Sequence, residues 1–203
     1  MTDTIDSLAE LEALFGAVGE AAKRKEVSYL HPVYQRWIAA SPFAVLATCG
    51  PGGLDASPRG DPAGWVAIED ERTLLLPERR GNNRIDSLRN IVADPRVGLL
   101  FMIPGVGETL RVNGRARIRA GSELLERFAV HGKPPKCVIE VGVESVFYQC
   151  ARAIHRSGLW NQPEESERPE NVPTAGAMLA ALADIDGTEY DRELQERQLG
   201  TLY

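Results

Sequence analysis

Short apolar runs separated by turn residues constrain the fold of the middle of this chain more than any other sequence feature. The runs that predict strands are 43–49, 54–57, 65–68, 73–76, 97–103, 109–119 and 138–143. The first run leads into Gly50-Pro51-Gly52-Gly53, a sequence typical of a hairpin turn. Many short strands at hairpin spacing favour a closed antiparallel barrel over a parallel sheet.

The run 109–119 has the clearest two-residue alternation in the chain. The apolar side chains of one face alternate with arginines of the other: Leu110, Val112, Ala116 and Ile118 against Arg111, Arg115, Arg117 and Arg119. Such alternation predicts a strand with one face in the core and one in solvent. Gly114 interrupts the pattern, and a glycine inside a strand indicates a bulge or a barrel corner.

Helical periodicity flanks and interrupts the strands. Apolar residues spaced by three and four predict an amphipathic helix between Ile5 and Ala22, which Gly16 and Gly19 divide, and Ser7 with Glu10 resembles a capping box. Further predicted helices are 33–40, 85–92, 123–130 capped by Ser122, one marked by Phe147, Cys150, Ala151 and Ile154, an Ala-rich helix capped by Thr174, and 188–198. We expect one structural domain, with an N-terminal helical extension (1–41), a barrel (42–160), and a loop with C-terminal helices (161–203).

Length and charge exclude several classes of protein. The 203 residues carry a formal net charge of −6, which argues against a nucleic-acid partner. No apolar run reaches the roughly 18 residues of a membrane span, and the acidic N-terminus lacks the order of a secretory signal. We therefore expect a cytoplasmic protein with no membrane partner.

The cysteines and histidines predict neither disulfides nor a metal site. Cys49, Cys137 and Cys150 form no C-x-x-C pair, and the three histidines have no spacing typical of metal ligands. Each cysteine is expected to lie in the core as a small hydrophobic residue.

The segment 77–84, PERRGNNR, is the strongest candidate for a binding site. Arg79, Arg80 and Arg84 lie directly before a predicted helix, with Asn82 or Asn83 as its expected N-cap. Amide groups at a helix start and neighbouring guanidinium groups together suit a phosphate. The alternative is an ordinary capped helix with solvated arginines.

Two other segments are weaker candidates. In 57–64, SPRGDPAG, two prolines and two glycines surround Arg59 and Asp61 in a loop of the kind that can be rigid. These two residues form either a charged pair at a site or a surface ion pair in a structural turn. In 155–160, HRSGLW, Trp160 follows a predicted helix and is either a core or interface aromatic or a residue that packs on a ligand.

The order of these motifs resembles a known family. FAVLAT at 43–48, SPRGDP at 57–62, PERRGNNR at 77–84, LRVNG at 110–114 and CARAIHRSGLW at 150–160 follow one another as in the pyridoxamine 5'-phosphate oxidase-like family of FMN-binding split-barrel proteins. The likeness is greatest to a subgroup that carries SPRGDP and GNNR motifs, and it covers about residues 30–160. It implies a mainly β fold with flanking helices (α+β), an antiparallel split β-barrel, and a homodimer with FMN in grooves at the subunit interface.

The resemblance also implies which residues hold the cofactor. Arg59 matches a strand arginine, and Asn82-Asn83-Arg84 a turn, that bind the flavin phosphate. Thr109 matches a polar residue beside the flavin, and the late segment 155–160 matches a region that packs on the flavin from the second subunit. The expected cofactor-binding residues are Arg59, Gly60, Asp61, Arg80, Asn82, Asn83, Arg84, Thr109, Arg156, Ser157 and Trp160.

The departures from the family bear on the substrate. Where the true oxidases have an apolar run ending in Lys after the strand arginine, this chain has Gly60-Asp61-Pro62-Ala63-Gly64, and the C-terminal Arg-x-His-x-Arg signature is missing. Both differences argue against pyridoxamine 5'-phosphate. The expected function is an FMN-dependent oxidoreductase, an oxidase or a reductase, acting on an unidentified small molecule with NADH or NADPH as a candidate electron donor. Because the flavin carries the redox chemistry, no catalytic side chain is assigned.

Two other functions remain open from the sequence. One is a flavin carrier or sensor without turnover, and the other is a relative that binds haem or a deazaflavin in the same barrel. The spectrum and the mass of the bound chromophore would distinguish these cofactors.

Overall fold

A single antiparallel sheet forms the centre of the computed structural model, which describes residues 4–161, 169 and 171–200. Its strands are β1 (Phe43–Gly50), β2 (Gly53–Gly60), β3 (Ala67–Asp70), β4 (Thr73–Pro77), β5 (Arg96–Met102), β6 (Thr109–Arg119) and β7 (Val138–Gln149). They pair in the order β2-β1-β5-β6-β7-β4-β3. The predicted antiparallel fold, mainly β with flanking helices, is confirmed.

The sheet is open, whereas strand spacing alone favoured a closed barrel. In the described part of the chain, β2 and β3 are the two edges, and backbone hydrogen bonds do not join them. Pro58 within β2 and Pro62 just after it have no N–H to donate to a further strand. The result is consistent with a split barrel.

Eight helices lie around the sheet in the described residues. They are α1 (Leu8–Phe15), α2 (Glu20–Arg24), α3 (Pro32–Ala40), α4 (Asp86–Ala93), α5 (Ser122–Glu126), α6 (Arg152–Ser157), α7 (Ala175–Leu182) and α8 (Gly187–Gly200). The capping box of Ser7 and Glu10 is confirmed, as are the break after α1, where Gly16 has a φ of 72°, and the cap at Thr174. None of the described helices is long and apolar enough to span a bilayer.

Two helix predictions are wrong in their bounds. The helix predicted from Phe147 to Ile154 begins only at Arg152, as α6, and Phe147 belongs to β7. Residues 145–149 pair with residues 109–113 of β6, and these long-range hydrogen bonds override the local periodicity. The helix predicted for 123–130 ends at Glu126, and Gly121 rather than Ser122 holds its N-cap position, without a side-chain hydrogen bond.

The cysteines differ in their burial. Cys137 is buried as predicted, but Cys49 is only half-buried and Cys150 is exposed. The prediction fails for Cys150 because this residue follows the last residue of β7 and lies outside the sheet that covers the core.

The core lies inside the curved sheet, and α4 packs against β1, β2 and β6. The largest fully buried side chains include Phe101, Leu46, Leu74 and Ile139. Ile91 of α4 joins the same cluster. Since β4 and α4 both belong to the packed sheet and core, the loop 78–85 that joins them is held at both ends.

Gly114 permits the bend of the β6–β7 pair. The register shifts between Asn113 and Gly114, which confirms the predicted bulge. A Cβ at position 114 would lie 2.1 Å from the Gly142 carbonyl oxygen, too close for any side chain. Only glycine fits at this approach of the two backbones.

We predict that Gly114→Ala lowers the free energy of unfolding by about 1–3 kcal/mol, because the added methyl group forces β6 and β7 apart. The control is Gly142→Ala on the facing strand, whose Cβ would lie 3.6 Å from the Arg115 carbonyl oxygen, an ordinary contact. Urea unfolding at one protein concentration compares the two variants. Equal stabilities would contradict the proposed role of Gly114.

Candidate functional site

Two ion pairs join the end of β2 to the residues that follow β4. Arg59 Nη1 donates to Glu78 Oε1 at 2.7 Å, and Arg79 Nε donates to Asp61 Oδ2 at 2.6 Å. We call these four residues the ion-pair clasp. In this clasp each segment supplies one cation and one anion, so it connects the two sides of the split where backbone hydrogen bonds do not.

The clasp is largely buried. Asp61 has only 5% of its side chain exposed, and the other three side chains have about a fifth exposed, between 18% and 20%. Arg79 also donates from Nη1 to the Phe128 carbonyl oxygen at 2.7 Å. Removing one member of such a pair leaves a desolvated charge without its counter-ion.

The Arg59–Glu78 pair is incompletely satisfied. Arg59 Nε and Glu78 Oε2 are buried and have no hydrogen-bond partner among the described residues. Cys137 lies close to this pair, and burial, together with the nearby Glu78 carboxylate, raises the pKa of its thiol. Unsatisfied charged atoms at a strand end are typical of a site that is completed by a ligand or by water.

Residues 78–85, which we call the arginine turn, lie against the segment before β7. Pro77 pairs with Val138 at the end of the β4–β7 ladder, and Glu78 N donates to the Cys137 carbonyl oxygen at 2.9 Å. Lys136 Nζ donates to Asn83 Oδ1 at 3.1 Å from the same segment. The turn is thus fixed at its first residue by backbone pairing.

The two asparagines form the turn and do not cap the helix, so the N-cap prediction is wrong. Asn82 Oδ1 accepts a hydrogen bond from Arg84 N at 2.9 Å, and Asn83 has a φ of 61°. Helix α4 begins at Asp86, and Ile85 holds its N-cap position without a side-chain bond. An asparagine side chain that accepts a hydrogen bond from the backbone two residues onward favours a turn. The Asn82 side-chain oxygen is therefore already bonded before the helix starts.

The remaining arginines of the turn face solvent. Arg84 is exposed and pairs with Asp86, and this hydrogen bond raises the pKa of Arg84. Arg80 is exposed as well. Arg79, grouped with them by its position in the sequence, instead faces inward and holds Asp61.

A network of serines, which sequence reasoning missed, fixes the other end of the turn. Ser87 Oγ donates to Asp55 Oδ2 at 2.6 Å, and the Ser57 and Ser87 hydroxyls lie 2.9 Å apart. This joins β2 to the first turn of α4. A signal was present in the sequence, since Asp55, Ser57, Arg59 and Asp61 alternate with Ala56, Pro58 and Gly60, which places the polar side chains on one side of the strand.

The other expected cofactor residues form a second group near the start of β6, here called the late group: Thr109, Arg156, Ser157 and Trp160. The Thr109 hydroxyl lies 3.4 Å from Gln149 Oε1. Arg156 and Ser157 are exposed on α6, which Gly158 ends with a φ of 62°. Trp160 Nε1 donates to the Val106 carbonyl oxygen at 2.7 Å, so the indole N–H is already satisfied within the chain.

The arginine turn and the late group lie at opposite ends of β7. Val138 pairs next to the turn, whereas Gln149 pairs with Thr109. At about 3.3 Å per residue, a straight strand of this length spans roughly 35 Å, and the bulge shortens it only in part. The structure therefore brings Arg59, Gly60 and Asp61 to the arginine turn, and it places the late group elsewhere.

The outer face of β2, β1 and β5 lacks charged side chains across two rows of cross-strand neighbours. These rows are Pro58, Val45 and Leu100, and Ala56, Ala47 and Gly98. All six are exposed or half-buried, and the neighbouring Leu54 is 91% exposed. We call this surface the small apolar face. Exposed apolar surface of this kind is typical of an interface.

Comparison with known proteins gives one family match. The sequence profile of the family described as Pyridoxamine 5'-phosphate oxidase matches residues 30–150. No curated protein is similar enough in sequence to be matched.

Solved structures with a similar fold include a HupZ variant from Group A Streptococcus, with 18% identity over 59% of this chain and 99% of that chain, and a TM-score of 0.48. General Stress Protein 26 from Bacillus anthracis has 18% identity over 56% of this chain and 88% of that chain, with a TM-score of 0.41. An F420 reductase has 21% identity over 55% of this chain and 93% of that chain, with a TM-score of 0.39. Because each TM-score is below 0.5, these likenesses carry no inference about what this chain binds.

We predict that Asp61→Asn lowers the free energy of unfolding by about 3 kcal/mol, because it removes the carboxylate that pairs with the largely buried Arg79 guanidinium group. Asp86→Asn is the matched control, since it removes the carboxylate of the exposed Arg84 pair and should cost less than about 1 kcal/mol. Urea unfolding of flavin-free protein compares them. A loss for Asp61→Asn no larger than that for Asp86→Asn would show that the clasp does not stabilise the fold.

Proposed function

The chain belongs to the pyridoxamine 5'-phosphate oxidase family, and on that premise we propose that it is an FMN-dependent oxidoreductase. In this proposal the protein is a homodimer that binds flavin at sites shared between the protomers and acts on a small molecule. The arginine turn is the observation that carries the proposal, because it presents cationic side chains on a backbone fixed at both ends.

The residues of the turn fit a phosphate group. Arg80 and Arg84 are exposed, and the buried Arg59 Nε has no acceptor among the residues that the structure describes. A phosphate monoester supplies up to two negative charges and three acceptor oxygens, so it can accept from several guanidinium groups at once. Asn82 and Asn83 shape the turn that presents these groups.

Gly60 and Asp61 contribute to the same site by holding other residues in place. A Cβ on Gly60 would lie 3.2 Å from the Pro42 carbonyl oxygen, so the glycine lets β2 end close to β1. Asp61 holds Arg79 and does not face outward. In the proposal these two residues fix Arg59 and the turn and do not themselves bind the phosphate.

The separation of the two groups of residues supports a shared site. A flavin mononucleotide is shorter than the extended length of β7, which favours a site in which the arginine turn and the late group around one flavin belong to different protomers. A second protomer packed on the small apolar face would supply its own late group to the ring. Flavin held by both chains would also stabilise the dimer by mass action.

When bound, FMN would supply hydride or electron transfer to and from the small molecule. The chain's own residues would bind and orient it. Arg156 would donate hydrogen bonds to the ring carbonyls, where a positive charge favours the reduced, more negative state. Since the Trp160 N–H donates to Val106, only the face of this indole is available to cover the ring and exclude water.

The purified protein tests this function directly. We expect the visible spectrum of an oxidised flavin and a released chromophore with the mass of FMN, and we expect NADH or NADPH to bleach the spectrum without oxygen. A haem, a deazaflavin or no chromophore would contradict the proposal. A flavin that neither nucleotide reduces would favour a carrier or a sensor.

A further inference from the structure

The charge of the arginine turn is largely neutralised within the chain. Arg59 pairs with Glu78, Arg79 with Asp61, and Arg84 with Asp86. Three of the cations at the turn therefore already have a carboxylate partner. A phosphate that carries up to two negative charges needs positive charge beyond these pairs.

Two cations at this place make no ion pair with any residue that the structure describes. One is Arg80 in the turn itself, and the other is Lys136 in the segment before β7. Lys136 is far from the turn in sequence, and it belongs to none of the sequence motifs that predict the phosphate site. The fold alone brings it to the turn.

The position of Lys136 is fixed by its neighbours. Pro135 and Cys137 on either side are buried, which leaves Lys136 as the exposed residue between them. The hydrogen bond from Glu78 N to the Cys137 carbonyl oxygen, 2.9 Å long, holds this segment against the first residue of the turn. A lysine placed in this way does not depend on a flexible loop to reach a ligand.

The ammonium group of Lys136 is also oriented. Its Nζ donates one hydrogen bond to Asn83 Oδ1 at 3.1 Å. An ammonium group has three N–H donors, so two remain for an anion beside Asn83. Lys136 thus lies beside the turn that carries the exposed Arg80 and Arg84.

We propose that Lys136 is a phosphate-binding residue that completes the arginine turn beside Asn83 and, with Arg80, supplies the positive charge that the ion pairs do not neutralise. This inference rests on the proposed function, since the phosphate in question is that of the flavin. It predicts that Lys136 contributes to the preference for a phosphorylated flavin and has little effect on the flavin ring.

Binding of FMN and riboflavin to the full chain, stripped of flavin, tests the proposal. Riboflavin lacks the phosphate, so the ratio of the two dissociation constants isolates the phosphate contribution. We expect Lys136→Met to weaken FMN binding about tenfold, equivalent to 1.4 kcal/mol, and to leave riboflavin binding unchanged. Because Lys136 is exposed, the thermal unfolding midpoint without flavin should not change.

Lys133→Met is the matched control, because it removes the same charge from the same loop. We expect this variant to keep the wild-type ratio of dissociation constants. The proposal is overturned if Lys136→Met keeps the wild-type ratio of the FMN and riboflavin dissociation constants. It is also overturned if both variants weaken FMN binding relative to riboflavin binding by the same factor, since the effect would then be that of net charge alone. Wild-type protein that binds neither flavin would instead refute the proposed function and, with it, this inference.

Discussion

The buried ion-pair clasp is the interaction on which the rest of the site depends. The sheet is open, and the edge strand β2 meets the end of β4, which extends past its last β3 partner, through Arg59–Glu78 and Asp61–Arg79. Among the described residues, no backbone pairing joins these two strands. Charged side chains are desolvated at a cost, which is offset only when each has its partner in good geometry. The clasp therefore favours one arrangement of the two edges, and that arrangement fixes the first residues of the arginine turn.

The arginine turn is held at both ends by contacts within the chain, before any ligand binds. The turn begins at the β4–β7 ladder and the clasp, and it ends at α4, which Ser57, Ser87 and Asp55 tie to β2. Arg80 and Arg84 are exposed between these two ends, and Lys136 is exposed beside the turn. Preorganised donors lose little conformational entropy on binding, which is how a short turn can hold a charged group.

Local sequence patterns predicted the elements well, but they did not predict the contacts between distant segments. Alternation placed Thr109–Arg119 at its observed bounds and Gly114 at the bulge, because both signals are local. Phe147 was assigned to a helix because its periodicity was read without the β6 partner. Motifs located the arginine turn, but they grouped Arg79 with the exposed arginines and gave no signal for Lys136. Only the fold brings Asp61 to Arg79 and Asn83 to Lys136.

The central claim, that one flavin spans two protomers, is tested most directly by a mixed dimer. Arg84→Ala impairs the arginine turn and Arg156→Ala impairs the late group, so each homodimer should bind FMN weakly. A heterodimer of the two, isolated through two different tags, retains one unaltered turn facing one unaltered late group if the site is shared. The account predicts one tight FMN site per heterodimer. Absence of any tight site would place both groups of contacts within a single protomer and contradict the account.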